Sequence, residues 1–283
     1  MLKLLKGTPN LKIGVLMNLS FEFFPPKDLD FLRVAECFND LSVLDPKFIS
    51  ITYGALGNSE EKSLGLIKEI KNLSSMEIAA HLTLVNKSKD QINQIASQLK
   101  DAGINQIVAI RGDSPDGNFK HHPEGFRSTS EFVSYLKNMG FEIIVSAYPE
   151  PHPMSKGFEV DLQILKDKVD AGATKAITQF CFDDSRFEFL RNEVSRENIG
   201  IELIAGIMPI YNIENLCNMA VRCGAKIPQE IIKKFEDKSP DDEEMAIEII
   251  SSQIRSLRSF GYESFHVYTL NKSNLVKKII DSI

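Results

Sequence analysis

The 283-residue sequence has no tryptophan, only four cysteines and no surplus of positive charge, and most of these shortfalls narrow what the chain can be. Cys37, Cys181, Cys217 and Cys223 form no CxxC pair, and a chain of this size needs no disulfide staples, so reduced thiols and a cytoplasmic setting are expected. Lys and Arg total 33 against 39 Asp and Glu, a formal net charge of -6. That balance argues against duplex nucleic acid or an anionic membrane as partner and leaves room only for a local anion site. Nowhere do the ~18 uninterrupted apolar residues of a membrane helix occur. The opening stretch carries lysines and then apolar residues, in outline like a secretory leader. It has no small-residue cleavage site, however, and Asn18, Ser20 and Glu22 interrupt it. GxGxxG, GxxxxGK[ST] and GxSxG are all missing, which removes the Rossmann and Walker phosphate loops and lowers a hydrolase reading.

What is present is an ordinary core-forming composition, 43% hydrophobic with 18 Phe. Short β-rich runs bounded by Gly, Pro, Asn and Asp predict eight strands: Leu19 to Phe24, Lys47 to Tyr53, Glu77 to Thr83, Gln106 to Arg111, Glu142 to Tyr148, Lys175 to Phe182, Glu202 to Met208 and Ser264 to Leu270. Between them, apolar spacing predicts helices over Asp28 to Leu44, Ser59 to Leu73, Ser88 to Ala102, Ser128 to Asn138, Phe158 to Ala171, Ser185 to Val194, Asn212 to Cys223 and Asp241 to Phe260, with Ser273 to Ser282 last. Ser128 to Glu131 fits a capping box, Ser239-Pro240 an N-cap followed by a first-turn proline, and Gly103 and Gly172 lie just past helix ends. The acidic run Asp241 to Glu244 suits a first helical turn. Eight strands alternating with helices predict an α/β fold, a (β/α)8 TIM-type barrel forming a single domain over residues 1–283, with an open doubly wound sheet as runner-up.

In such barrels chemistry gathers at the C-terminal ends of the strands. Those ends carry Glu22, Thr52-Tyr53-Gly54, His81, Arg111-Gly112-Asp113, Tyr148 with Glu150 and His152, Gln179 with Asp183, and Tyr268 with Asn271. Glu22 alternates with Phe21 and Phe23. If its face is the barrel interior, burial favours the protonated carboxyl and suits it to general-acid work; the other reading is a surface glutamate. Arg111-Gly112-Asp113 offers a forked donor, a flexible backbone and a fixed negative charge, and is equally a capped turn. The histidines His81, His121, His122, His152 and His266 show no metal-ligand spacing, so no metal is expected. His121 and His122 read as an exposed loop pair, His81 and His152 as ligand contacts. A phosphate-bearing cofactor would have to be held by the mouth loops, with Arg111, His152, Asp161 and Lys168 available; Asp161 and Lys168 also fit as ordinary polar helix positions.

Taken in order, the segments SFEFFPP (20–26), ITYGA (51–55), AHLT (80–83), AIRGD (109–113), AYPE (147–150) with His152, VDAGATKAITQFCFD (169–183), GIMPI (206–210) and FHVYTLN (265–271) resemble the methylenetetrahydrofolate reductase family of flavoproteins across nearly the whole chain. The resemblance implies non-covalent FAD and reduction of 5,10-methylenetetrahydrofolate to 5-methyltetrahydrofolate, with NADH or NADPH as donor in a ping-pong cycle. The length matches the form of the family made of the catalytic barrel alone. By the same resemblance Glu22 is the general acid that opens the folate imidazolidine ring, and Asp113 tunes the flavin and stabilises the cationic intermediate. Thr52, Tyr53, Ala55, His81, Arg111, Gly112, Asp113, Tyr148, His152, Ser155, Asp161 and Lys168 line FAD. Gln179 meets folate and nicotinamide in turn, with Tyr211, Tyr268 and Lys272 also on the substrate side. Two positions depart from the family pattern: Ile213 stands where a stacking phenylalanine is common, and Lys272 replaces an arginine and loses its planar fork. The alternatives are a catalytically silent flavin- or folate-binding relative, and a different barrel enzyme such as a Schiff-base lyase, against which no strand places an inward lysine at its C-terminal end. Homo-oligomer formation is left open.

Overall fold

The structure, a computed structural model, describes residues 17–26, 28, 30–52, 60–112, 120–236 and 239–283. Eight parallel strands close a barrel in chain order: β1 (Asn18–Phe23), β2 (Phe48–Ile51), β3 (Ile78–Thr83), β4 (Gln106–Ile110), β5 (Glu142–Ala147), β6 (Lys175–Thr178), β7 (Glu202–Ile207) and β8 (Ser264–Tyr268). The strand β8 returns to pair with β1, Ser20 opposite His266 and Glu22 opposite Tyr268, so the expected closed sheet forms and the open alternative is excluded. Beyond the strands, Phe24 and Asn271 exchange two bonds: the Phe24 N–H donates to Asn271 Oδ1 (3.2 Å) and Asn271 Nδ2 donates to the Phe24 carbonyl (2.8 Å).

The described helices around the barrel are α1 (Phe31–Ser42), α2 (Glu60–Leu73), α3 (Lys89–Asp101), α4 (Thr129–Asn138), α5 (Phe158–Asp170), α6 (Asp184–Arg196), α7 (Ile213–Cys223), α8 (Gln229–Lys234), α9 (Asp242–Ser259) and α10 (Asn274–Asp281). None is long and apolar enough to cross a membrane. Alternation along the strands builds two apolar layers. An outer layer, with Phe21, Phe23, Phe38, Phe132, Phe187 and Phe265, packs strands against helices. Phe48, Ala79, Val108, Ile144, Ile177 and Ile204 fill the barrel itself. Each fully buried Phe contributes about 1.5–3 kcal/mol by leaving water.

Several local expectations change. The strand expected over Lys175 to Phe182 stops at Thr178, because Phe180, Cys181 and Phe182 turn into the outer layer with backbone donors satisfied locally: Phe180 N–H by Gln179 Oε1 (3.0 Å) and Asp183 N–H by Cys181 Sγ (3.4 Å). Ser239-Pro240 is not the N-cap of α9, which begins at Asp242 after Asp241. Ser239 Oγ instead accepts from Asp241 N–H (3.2 Å), and Asp242 Oδ1 from Ser239 N–H (3.2 Å), which holds Pro240 in a preceding turn. At Ser128 only half the capping box forms: Ser128 Oγ accepts from Glu131 N–H (3.0 Å), but the Glu131 carboxylate reaches to Arg127 N–H (2.7 Å). The complete box sits at Ser88 and Gln91 in front of α3. Helix α8 was not expected, since six residues with no buried member leave no periodic signal. Gly103 and Gly172 do follow helix ends, at φ 75 and 113.

Candidate active site

Glu22 lies inside the barrel. Its Oε2 stands 3.6 Å from His81 Nε2 on β3, and because β2 separates these strands in the sheet, only interior-facing side chains can meet in this way. Phe21 and Phe23 point the other way and are fully buried, so the alternation of β1 decides between the two readings of Glu22 in favour of the interior. Glu22 keeps 19% of its side-chain exposure and His81 12%, which places both at the mouth rather than in the sealed core. Burial without an opposite charge lifts the Glu22 carboxyl to about 7 and pushes His81 down to about 4, so at pH 7 His81 is neutral and Glu22 keeps its proton in about half of the molecules.

Beneath them lies a polar layer absent from the sequence-derived site. His266, fully buried, places Nδ1 2.7 Å from Ser20 Oγ and Nε2 3.2 Å from Ser50 Oγ. Ser20 Oγ also donates to the Phe265 carbonyl (3.2 Å), which assigns the imidazole proton to Nδ1 and leaves Nε2 to accept from Ser50. Burial and then the nearby His81 push His266 down to about 3. The signal was in the alternation, because Ser20 and Glu22 share one face of β1 as His266 and Tyr268 share one of β8. Tyr268 reaches across the mouth to donate to the Thr178 carbonyl (2.8 Å), its ring edge-on to His266. Gly206 makes this path available, since a Cβ there would overlap the Thr178 carbonyl and come within 2.9 Å of the Tyr268 ring.

A second group forms where β4 and β5 end. Lys168 of α5 is 5% exposed and its Nζ donates to the Ser146 carbonyl (3.0 Å), so it is no ordinary surface position. Burial lowers it to about 8, against the pull of Asp161 and with the push of Arg111. The Asp161 carboxylate accepts from His152 N–H (2.8 Å), and the rings of His152 and Tyr148 meet edge to face at 4.9 Å. Ser155 Oγ donates to the Gly157 carbonyl (3.0 Å) in the loop entering α5. Gly112 has φ 81 with Val85 and Thr83 against the position of a Cβ, so the backbone after Arg111 requires glycine. Thr52 bonds through its backbone, its N–H to the Phe23 carbonyl (3.0 Å) and its own carbonyl to Ser63 Oγ (2.9 Å). Gln179 and Tyr148 line one narrow cleft beside Gly224. Tyr53, Ala55 and Asp113 lie outside the described residues.

Tyr211 and Lys272 stand apart from this mouth. The Tyr211 hydroxyl lies 2.9 Å from the Thr269 carbonyl and 2.7 Å from that of Lys272, and the Lys272 ammonium sits 4.8 Å over the Tyr211 ring. With Ile213, Cys37, Asp40 and Phe235 they line a separate cavity of about 800 Å³ on the rim, which neither Glu22 nor His81 borders. Among the described residues no three His, Cys, Asp or Glu side chains gather as a metal ion would require.

Residues 14–283 match the family model described as methylenetetrahydrofolate reductase. The chain is 38% identical over 264 residues to the 5,10-methylenetetrahydrofolate reductase of Pectobacterium carotovorum, covering 92% of this chain and 87% of that one. It is 37% identical to the protein of that name from Escherichia coli, covering 92% and 88%. Among solved structures, an uncharacterised Clostridium thermocellum protein that binds two copies of 5-methyl-5,6,7,8-tetrahydrofolic acid superposes with a TM-score of 0.67 at 13% identity, covering 94% of this chain and 93% of that one; this likeness is one of fold.

Proposed function

The chain belongs to the methylenetetrahydrofolate reductase family, and from that membership we propose that it reduces 5,10-methylenetetrahydrofolate to 5-methyltetrahydrofolate with NADH or NADPH through non-covalently bound FAD. The observation that carries the reading is Glu22: a carboxyl inside the barrel mouth, lifted to about 7, so that a large fraction of it is still protonated at neutral pH. Ring opening of the folate imidazolidine needs an acid that releases a proton to the departing nitrogen, and a glutamate at its usual pKa would already have lost it.

The donor set fits FAD. Arg111 and Asp161 both act electrostatically on buried Lys168, and Asp161 also accepts from His152 N–H, a cation-bearing cluster that would suit the phosphates of FAD. On this reading Arg111, Lys168, His152 and Ser155 hold the phosphates and ribose, while Thr52, Tyr53, Ala55, His81, Gly112, Asp113, Tyr148 and Asp161 complete the cradle. When bound, FAD supplies the hydride relay between nicotinamide and folate. Glu22 delivers its proton to the folate nitrogen, Asp113 offsets the positive charge of the resulting iminium, and Gln179 orients whichever of the two substrates is present. One mouth serves both, so they bind in turn and a ping-pong cycle follows.

The direct test is anaerobic. Protein reconstituted with FAD is expected to bleach on addition of NADH or NADPH and to regain its colour with methylenetetrahydrofolate; protein that cannot be loaded with FAD sinks the proposal. Lys168→Met is expected to stay folded and to weaken FAD binding on the order of 10- to 100-fold, the loss of one charge-assisted bond, read by fluorescence titration of free flavin. Unchanged affinity would remove Lys168 from the cradle.

A further inference from the structure

We propose that His81 is a positioning residue for the acid: its Nε2 lone pair receives the Glu22 O–H and holds that proton on the carboxyl until a substrate nitrogen takes it. The inference rests on the reading of Glu22 as the general acid. Its ground is a buried atom without a partner. Among the described residues His81 Nε2 is closed to solvent and finds no hydrogen-bond partner, and Glu22 Oε2 stands 3.6 Å from it. Closing that gap to the ~2.8 Å of an O–H···N bond takes a shift of under ~1 Å. A native interior rarely leaves such a nitrogen empty without a use for it.

The hydroxyl protons nearby are already engaged elsewhere. Among the described groups near the Glu22 carboxyl, the Tyr268 hydroxyl is committed to the Thr178 carbonyl, and His266 to Ser20 and Ser50. Thr269 Oγ1 is committed to the Glu22 main-chain carbonyl (2.6 Å). His81 Nε2 is, among the described residues, the buried nitrogen beside the carboxyl that has no partner. The two groups also divide the proton in the required sense. A glutamate and a histidine at ordinary values, 4.5 and 6.5, would form an ion pair. Here burial reverses the order, to about 7 for Glu22 and about 4 for His81, and the proton stays on oxygen. Such a bond requires the ring's own proton on Nδ1, and because Nε2 is sealed, the 12% of the side chain that solvent reaches lies elsewhere on His81. In the transfer the Glu22 O–H bond breaks, the N–H bond of the departing folate nitrogen forms, and His81 is left facing a carboxylate with no change in its own protonation.

The test reads the tautomer directly. In the FAD-loaded enzyme labelled with 15N-histidine, His81 is expected to be neutral with a bare Nε2 at pH 7, its Nε2 signal moving with an inflection near pH 7 as Glu22 titrates. That inflection is expected to vanish in Glu22→Gln. A proton on Nε2, a charged imidazolium at pH 7, or a titration of His81 unaltered by Glu22→Gln would overturn the proposal. Folate turnover keeps the two ideas apart: if the tautomer is wrong while Glu22→Gln still abolishes turnover, only the role of His81 falls. If Glu22→Gln turns folate over at the wild-type rate, the acid reading falls as well.

Discussion

Glu22→Gln is expected to lower folate turnover by ~10²- to 10⁴-fold while bleaching of bound flavin by NADH continues near the wild-type rate. Glutamine keeps the length and polarity of the side chain and changes one property: it has no acidic proton to give. In a two-stage cycle this separates the stages, because nicotinamide oxidation needs no proton delivered to a nitrogen and ring opening does. Methyl-group production, measured in single turnover with pre-reduced enzyme, is the quantity to follow. A mutant that forms 5-methyltetrahydrofolate at more than about a tenth of the wild-type rate would put the proton donor elsewhere.

The second large effect is pH-dependent, and its sign is opposite to that of carboxylates held ionised by a cationic or hydrogen-bonding partner. Burial raises Glu22 from 4.5 to about 7, so the protonated fraction, and with it the folate stage, is full below about pH 6 and falls about tenfold per unit above pH 8. Stability follows the same curve. A group whose folded value lies above its unfolded one contributes fully below the unfolded value, and the contribution is lost as pH rises through the folded value. Wild type is therefore expected to be less stable than Glu22→Gln at pH 8.5, by at most about 3 kcal/mol, with the difference gone at pH 4. Urea unfolding of both proteins at the two pH values decides it; equal midpoints at pH 8.5 would mean that the carboxyl is hydrated rather than buried.

The barrel was legible because its eight strands carry strong apolar runs and its closure leaves no other home for them. What sequence missed were features set by individual hydrogen bonds that an apolar pattern does not report. Phe180 to Phe182 reads as strand because it is apolar, but it turns outward once Gln179 takes the Phe180 amide. Ser239 offers a cap, but the helix waits for Asp242. The candidate site shows the same division. The interior placement of Glu22 follows from counting residues along β1, and the family motifs supply its expected role. The 3.6 Å approach of His81 and the pinning of His266 by two serines depend on register between strands far apart in the chain, which no local pattern encodes. Tyr211 fits an aromatic substrate contact by its place in the sequence, yet its hydroxyl lies against the Thr269 and Lys272 carbonyls.

The reciprocal bonds between Phe24 and Asn271 tie together two points 247 positions apart. Glu22, the proposed acid, belongs to the earliest described strand, while the tyrosine beside it and the imidazole below it belong to the last. During synthesis on the ribosome, a chain still lacking β8 would already own every candidate cation for phosphate, yet its proposed proton donor would face a gap open to water. Competence for the proton step would thus arrive late and all at once, when the final staves of the cask are driven home.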